Sequence, residues 1–284
     1  EITDGMPISQ VYKIGQSATV RDKCVNGYQD NGTSTFMGTH WQFTNGGDGM
    51  ECAVDNKNAA WSYSTIYFGS IHRHYDNNWD LEVCNNGLYG INESGAWVTP
   101  FILDENDPGI MFVGLKNIWR CTNVKAPAGS ISWSKISDGL AGSNSVEMCF
   151  LEQSPANTDI LFAGRYDNKL FRSDDAKSAS VTWTDLTPFL PSSGLPVDLE
   201  CHPDHPDTVY LSQDHRIWRS EDRGLSWTDI SGSLPDVTFS SIVYYLNSND
   251  GLYVSSDIGV FYRDRTMSDW VLFSGGLPVD ASIN

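Results

Sequence analysis

Five arginines, Arg73, Arg120, Arg172, Arg219 and Arg263, carry the most easily named chemistry in this 284-residue chain. A cluster of guanidinium groups grips a carboxylate, as a hydrolase of acidic sugars requires. Their spacing, roughly 44 to 52 residues, argues against convergence, because each falls at one place in a repeated segment. Snorkelling over a strand and bonding turn carbonyls is the favoured reading. Arg21, Arg165, Arg216, Arg223 and Arg265 lie outside that register, with no nucleophile signature beside them. His72 and His74, two apart on one strand face, could ligate a metal. Each replaces a repeat position, so a structural role is expected, as for His202 and His205 around Pro203. No metal site is assigned; calcium is the one candidate ion, because the turns are dense in Asp and Asn. Tyr28, Trp61, Trp97, Tyr89 and Tyr166 are aromatics outside the repeat. Exposed, they would stack on sugar rings or anchor a protein contact; filling gaps between structural units is the commoner role.

The elements that must position these residues are read from the repeat itself. Ile71–Trp79, Ile118–Trp133, Leu170–Trp183, Ile217–Trp227 and Val260–Trp270 each run from an apolar residue through an arginine and a polar turn to a closing tryptophan. Trp41 starts the series. Upstream of these tips stand short apolar runs read as strands: 66–69, 110–114, 160–164, 209–212 and 252–255. A period near 45 residues holding about four strands is a propeller-blade signature. The expected fold is all-β, a β-propeller of four-stranded antiparallel blades, with almost no helix. Six whole blades are expected within one propeller spanning 1–284: 1–49, 50–99, 100–142, 143–193, 194–236 and 237–278. Residues 279–284 read as the first strand of a further blade, so the ring is expected to be seven-bladed when complete. The missing part would come from a longer polypeptide or from another chain.

At the tips the chain resembles a known family. Ser220, Asp222, Gly224 and Trp227 within SEDRGLSW fit the Asp-box (BNR) pattern S-x-D-x-G-x-[ST]-W, and Ser173, Asp175 and Trp183 form an eroded copy. The stretch 27–33, with Gly46-Gly47-Asp48-Gly49, is similar to the opening of sortilin-like and xyloglucanase-like propellers of secreted bacterial surface proteins. The Asp-box implies architecture, since it serves unrelated activities alike. A xyloglucanase-like role implies two carboxylates across a sugar cleft, about 5 to 9 Å apart, one from each of two propellers. Asp48, Asp30 and Asp257 are the acids nearest the family-like motifs, with Asp48 first; turn formation is the favoured alternative for Asp30 and Asp48.

Composition sets the remaining bounds. A formal charge of −18 repels phosphate backbones and anionic lipid, so nucleic acid is not an expected partner. No apolar run reaches the roughly 18 residues of a membrane helix, and no membrane insertion is expected. The six cysteines form no C-x-x-C pair; disulfides and buried thiols remain equal alternatives. Asn31 and Asn92 open N-x-[ST] triplets. The expected function is a non-catalytic extracellular module for adhesion or protein interaction, binding a glycan or a protein surface. Its expected place is secreted or at the cell surface, within a larger assembly. The alternatives are half of a glycoside hydrolase cleft and a purely structural subunit.

Overall fold

The computed structural model describes residues 9–273 and residue 275. They form six four-stranded antiparallel sheets, the blades of a β-propeller, each with its strands paired in sequence order. The blades run from Val11–Gln16 to Trp41–Asn45, Cys52–Val54 to Asn78–Cys84, and Phe101–Leu103 to Trp133–Lys135. The last three run from Met148–Gln153 to Thr184–Asp185, Pro196–Cys201 to Thr228–Asp229, and Phe239–Tyr245 to Val271–Phe273. The only helical segments among the described residues are short 3-10 turns. Two compact units divide the chain: the first two blades lie in one, the last three in the other, and the third contributes to both. Residues 279–284, where the first strand of a further blade was expected, lie outside the described residues, as do residues 1–8 of the first expected blade.

Apolar side chains interleave between consecutive blades. Phe150, Phe162 and Leu170 of the fourth blade pack with Leu199, Val209 and Leu211 of the fifth. Tyr210 and Ile217 of the fifth pack with Phe239, Ile242 and Trp270 of the sixth. Each such side chain, fully buried, contributes about 1.5–3 kcal/mol.

Polar stitches cross the same seams. The indole N–H of Trp133 donates to the Val83 carbonyl of the blade before it at 2.8 Å. Trp183 does the same to Ile136 at 2.8 Å, and Trp270 to Ile230 at 2.7 Å. Arginines stitch forward: Arg73 donates to the Val124 and Ala126 carbonyls, both at 2.8 Å, and Arg172 to the Arg223 carbonyl at 2.6 Å. Lys125 and Lys177 reach the buried Asp55 and Asp104 of the preceding blade.

The tip at Ser220 is a closed clamp. Ser220 Oγ accepts from the Asp222 and Gly224 N–H groups at 3.2 and 2.8 Å and donates to Asp222 Oδ1 at 2.8 Å. Asp222 accepts from the Leu225 and Ser226 N–H groups and from Ser226 Oγ. Gly224 sits at φ +88°, a conformation that favours glycine. The fourth blade rebuilds the clamp with Ser173, Asp175 and Thr182 around a longer loop.

Three details depart from the sequence reading. Residues 66–69 are not a strand: the second strand of that blade is Trp61–Thr65, and Tyr67–Gly69 forms a 3-10 turn beyond it. Arg263 does not share the arginine register. Arg172 pairs with Phe162 and Arg219 with Tyr210, whereas Tyr262 takes that place opposite Tyr253. Trp41 and Trp79, placed in one series with the others, are half exposed, whereas Trp133 and Trp270 are buried.

Partial burial works against ionisation of Asp222, yet the hydrogen bonds from Ser226 and Ser220 hold its carboxyl below the usual range. Its stabilisation is therefore present above pH 4 and lost as pH falls through the lowered folded-state value. Asp222→Ala is expected to cost about 1–3 kcal/mol at pH 7. In thermal melts the gap from wild type should narrow steadily in acid; a pH-independent gap would contradict the clamp.

Candidate functional site

A glycine-rich loop of the first blade, 46–49, lies against that blade's own hairpin and runs on beside the turn found at Tyr67–Gly69. A Cβ on Gly27 would stand 2.2 Å from the Met50 carbonyl oxygen, and one on Gly49 would stand 2.1 Å from the Gly32 carbonyl oxygen. Backbone thus lies against backbone, which only glycine permits. Asp48 Oδ1 accepts the Asp30 N–H at 2.7 Å, tying the loop to that hairpin, whose Asp30 sits at φ +58°. The loop then runs beside Ile66 and Tyr67, within 3.9 Å of the Tyr67 ring from a Cβ at Gly47.

Beyond that contact stands an aromatic platform. Tyr67 and Trp97 stack with ring centroids 5.3 Å apart and planes at 16°. Phe68 meets Trp97 edge-on at 5.4 Å. All three are open to solvent, at 40%, 49% and 43% exposure for Tyr67, Phe68 and Trp97. Phe68 holds φ +62°, a left-handed conformation costing a bulky residue about 1–2 kcal/mol. The turn is held there by the Ile66 N–H on the Ser70 carbonyl at 3.0 Å and the Gly95 N–H on the Phe68 carbonyl at 3.1 Å. Trp97 Nε1 donates to the Tyr12 hydroxyl at 3.4 Å. The apolar run 66–69 imitates a strand; the signal that could have separated them is the alternating aromatic and hydroxyl segment just upstream, Trp61–Thr65, which is the strand itself.

The other candidates fall in varied settings. Trp61 lies half-buried on a strand, 4.6 Å from the Tyr75 ring with the Arg73 guanidinium 5.2 Å over its face. Tyr28 is half-buried, meeting the edge of Trp41 and accepting from Asn26. Tyr89 sits half-buried at φ +51°, its carbonyl taking the Trp133 N–H. Tyr166 is half exposed on the fourth blade, and Asp257 is exposed in the turn between Gly251–Ser256 and Gly259–Arg263. His74 is buried against Ser64 Oγ at 2.8 Å; burial and the neighbouring His72 push its pKa down to about 4, so it stays neutral. His202 accepts the Asp204 and His205 N–H groups and closes a turn. No group of three His, Cys, Asp or Glu side chains suited to a metal occurs among the described residues. All six cysteines are free thiols, and burial pushes Cys52, Cys84 and Cys201 well above the ordinary thiol range.

A second polar arrangement was not foreseen. On the first strands of the last three blades, carboxylates cap the neighbour's backbone. Glu152 accepts the Cys201 N–H at 3.3 Å, Asp198 the Ile242 N–H at 2.9 Å and Glu200 the Tyr244 N–H at 3.0 Å. Burial, with Asp198 and Glu105 nearby, pushes Glu200 up to about 8 despite the Tyr244 bond. Burial and the charges of Glu200 and Asp198 raise Glu152 as well.

No protein-family model matches the sequence, and no curated protein does. Solved structures do share the fold. An ancestral GH74 enzyme superposes with a TM-score of 0.71 at 10% identity, over 93% of this chain and 38% of the other. PorZ, an essential bacterial surface component of the type-IX secretion system of Porphyromonas gingivalis, gives 0.69 at 12% identity, over 96% and 43%. The chain spans about two-fifths of the length of either structure. Likeness at such identity speaks for the fold alone.

Asp48 is a loop latch in this geometry. Asp48→Asn keeps an oxygen for the Asp30 N–H and should melt within about 0.5 kcal/mol of wild type, while Asp48→Ala should lose about 1 kcal/mol. Equal losses in both variants would refute the latch. For Glu200, the raised folded-state pKa means that stability falls as pH climbs from about 4.5 to about 8. Glu200→Gln retains an acceptor for Tyr244 and should raise the melting temperature at pH 8.5, with the gain vanishing near pH 4.

Proposed function

We propose that this chain is a non-catalytic extracellular binding propeller, part of a larger cell-surface protein or assembly, that holds a neutral glycan on the Tyr67–Phe68–Trp97 platform. The platform is the observation that carries this reading. Solvent-facing rings set in fixed geometry suit the apolar faces of pyranose sugars, and the left-handed backbone at Phe68 keeps an apolar ring outside the core at a conformational cost. Net charge of −18 disfavours an acidic ligand wherever no cluster of local cations offsets it. The fold shared with a surface component of a secretion system supports an extracellular place.

A second reading is half of a glycoside hydrolase cleft, completed by another propeller. Asp48 and Asp30, beside the platform, and the likeness to a GH74 enzyme favour it. The latch role of Asp48 weighs against it, because one of its oxygens is already engaged.

Titration with β-glucan oligosaccharides, followed by tryptophan fluorescence and calorimetry, separates these readings. Trp97→Ala and Phe68→Ala should each weaken binding about tenfold, equivalent to about 1.4 kcal/mol, with Phe68→Ala folded at least as stably as wild type. Binding that is indifferent to both substitutions would overturn the platform. Release of reducing ends that disappears in Asp48→Asn would establish the hydrolase instead.

A further inference from the structure

The arginine that leaves the repeat register creates a site of its own. Arg219 of the fifth blade pairs with Tyr210 across the sheet, and its equivalents Arg73 and Arg172 reach forward to carbonyls of the following blade. In the sixth blade Tyr262 holds that position, and Arg263 lies one residue further, opposite Leu252. Side chains alternate faces along a strand, so a one-residue step turns the side chain to the other side of the sheet. Arg263 accordingly reaches backward, donating to the Ile230 carbonyl of the fifth blade at 2.9 Å. The seam between these blades therefore receives Arg219 from one wall and Arg263 from the other, and Arg265 from the tip loop.

Arg219, Arg263 and Arg265 all line one cleft of ≈ 230 Å³, with Tyr210, Ile230, Leu252, Met267, Asp250 and Asp264. Both carboxylates are already engaged. Asp250 accepts from the Tyr244 hydroxyl at 2.9 Å and pairs with Arg265. Asp264 accepts from the Tyr262 hydroxyl at 3.0 Å and from Thr266 Oγ at 2.6 Å. Arg219 pairs with Glu221 on its own tip at 2.8 Å. Arg263 forms no ion pair among the described residues, and the Ile230 carbonyl takes one of its five N–H donors. Three cations gather in a cleft of a chain that is otherwise strongly acidic, and the charge acting with Arg263 is Asp269, outside the lining.

We infer that this cleft binds the oxyanion of a small acidic molecule. Arg263 and Arg219 grip the anionic group from opposite walls, with the Tyr210 hydroxyl beside them. Ile230, Leu252 and Met267 supply an apolar wall for the carbon frame, which favours an organic carboxylate over a bare inorganic ion. The site is independent of the aromatic platform and lies wholly within the second compact unit.

Calorimetry and ligand-observed NMR on the intact chain, with glucuronate, sulfate and phosphate as separate probes, test this. Glucuronate should bind more tightly than either inorganic ion and should raise the melting temperature. Arg263→Lys keeps the charge and loses the fork, and should weaken binding at least fivefold; Arg263→Ala should weaken it at least tenfold. Arg265→Ala, at an exposed side chain, should fold normally and also bind less tightly. Sulfate or phosphate binding as tightly as glucuronate would overturn the organic-acid assignment. An absence of binding at 10 mM of every probe, or an affinity unchanged in Arg263→Lys and Arg265→Ala, would overturn the site.

Discussion

A four-stranded blade has two apolar faces and can hide them only against other blades, so the seam is the interaction on which the structure depends. Hydrophobic packing supplies the bulk of its stability, but it does not by itself fix how far one blade slides along the next. Fixing falls to polar groups that cross the seam onto backbone. Tryptophan N–H groups reach back to Val83, Ile136 and Ile230, while Arg73 and Arg172 reach forward to carbonyls of the next tip. Glu152, Asp198 and Glu200 close the opposite edge by capping N–H groups. A buried backbone group without a partner costs about as much as a lost hydrogen bond, so these contacts fix register as well as contribute energy.

The fold was legible because strand, turn and tryptophan share one period, and a period survives single substitutions. Individual positions were less legible. Arg263 looked equivalent to Arg219 because both precede an acidic turn residue, but identity along a string does not register the parity of a strand. Pairing of Tyr253 with Tyr262 decides the matter, and the one trace of it in the sequence is the extra residue in Val260-Phe261-Tyr262-Arg263 against Ile217-Trp218-Arg219. The same limit hid the carboxylate caps: Glu152 and Glu200 occupy matching strand positions 48 residues apart, and their partners lie on the next blade.

The candidate site shows the same division. Asp30 and Asp48 were singled out from their motif, and the structure does join them, through a backbone hydrogen bond. Trp97 was singled out as an aromatic outside the repeat, and it stands in the platform. Tyr67 and Phe68 escaped notice because four apolar residues in a row read as buried strand. What exposes them is the completed strand before them and the turn that follows, which forces the chain through a left-handed residue.

That left-handed phenylalanine also has an evolutionary consequence. Glycine or asparagine would occupy position 68 with less strain, so selection for heat resistance alone would erode the aromatic ring there. Lineages that retain a bulky ring in that conformation would be preserving it for something other than folding, which makes residue 68 a sensitive marker of whether a descendant still uses this surface.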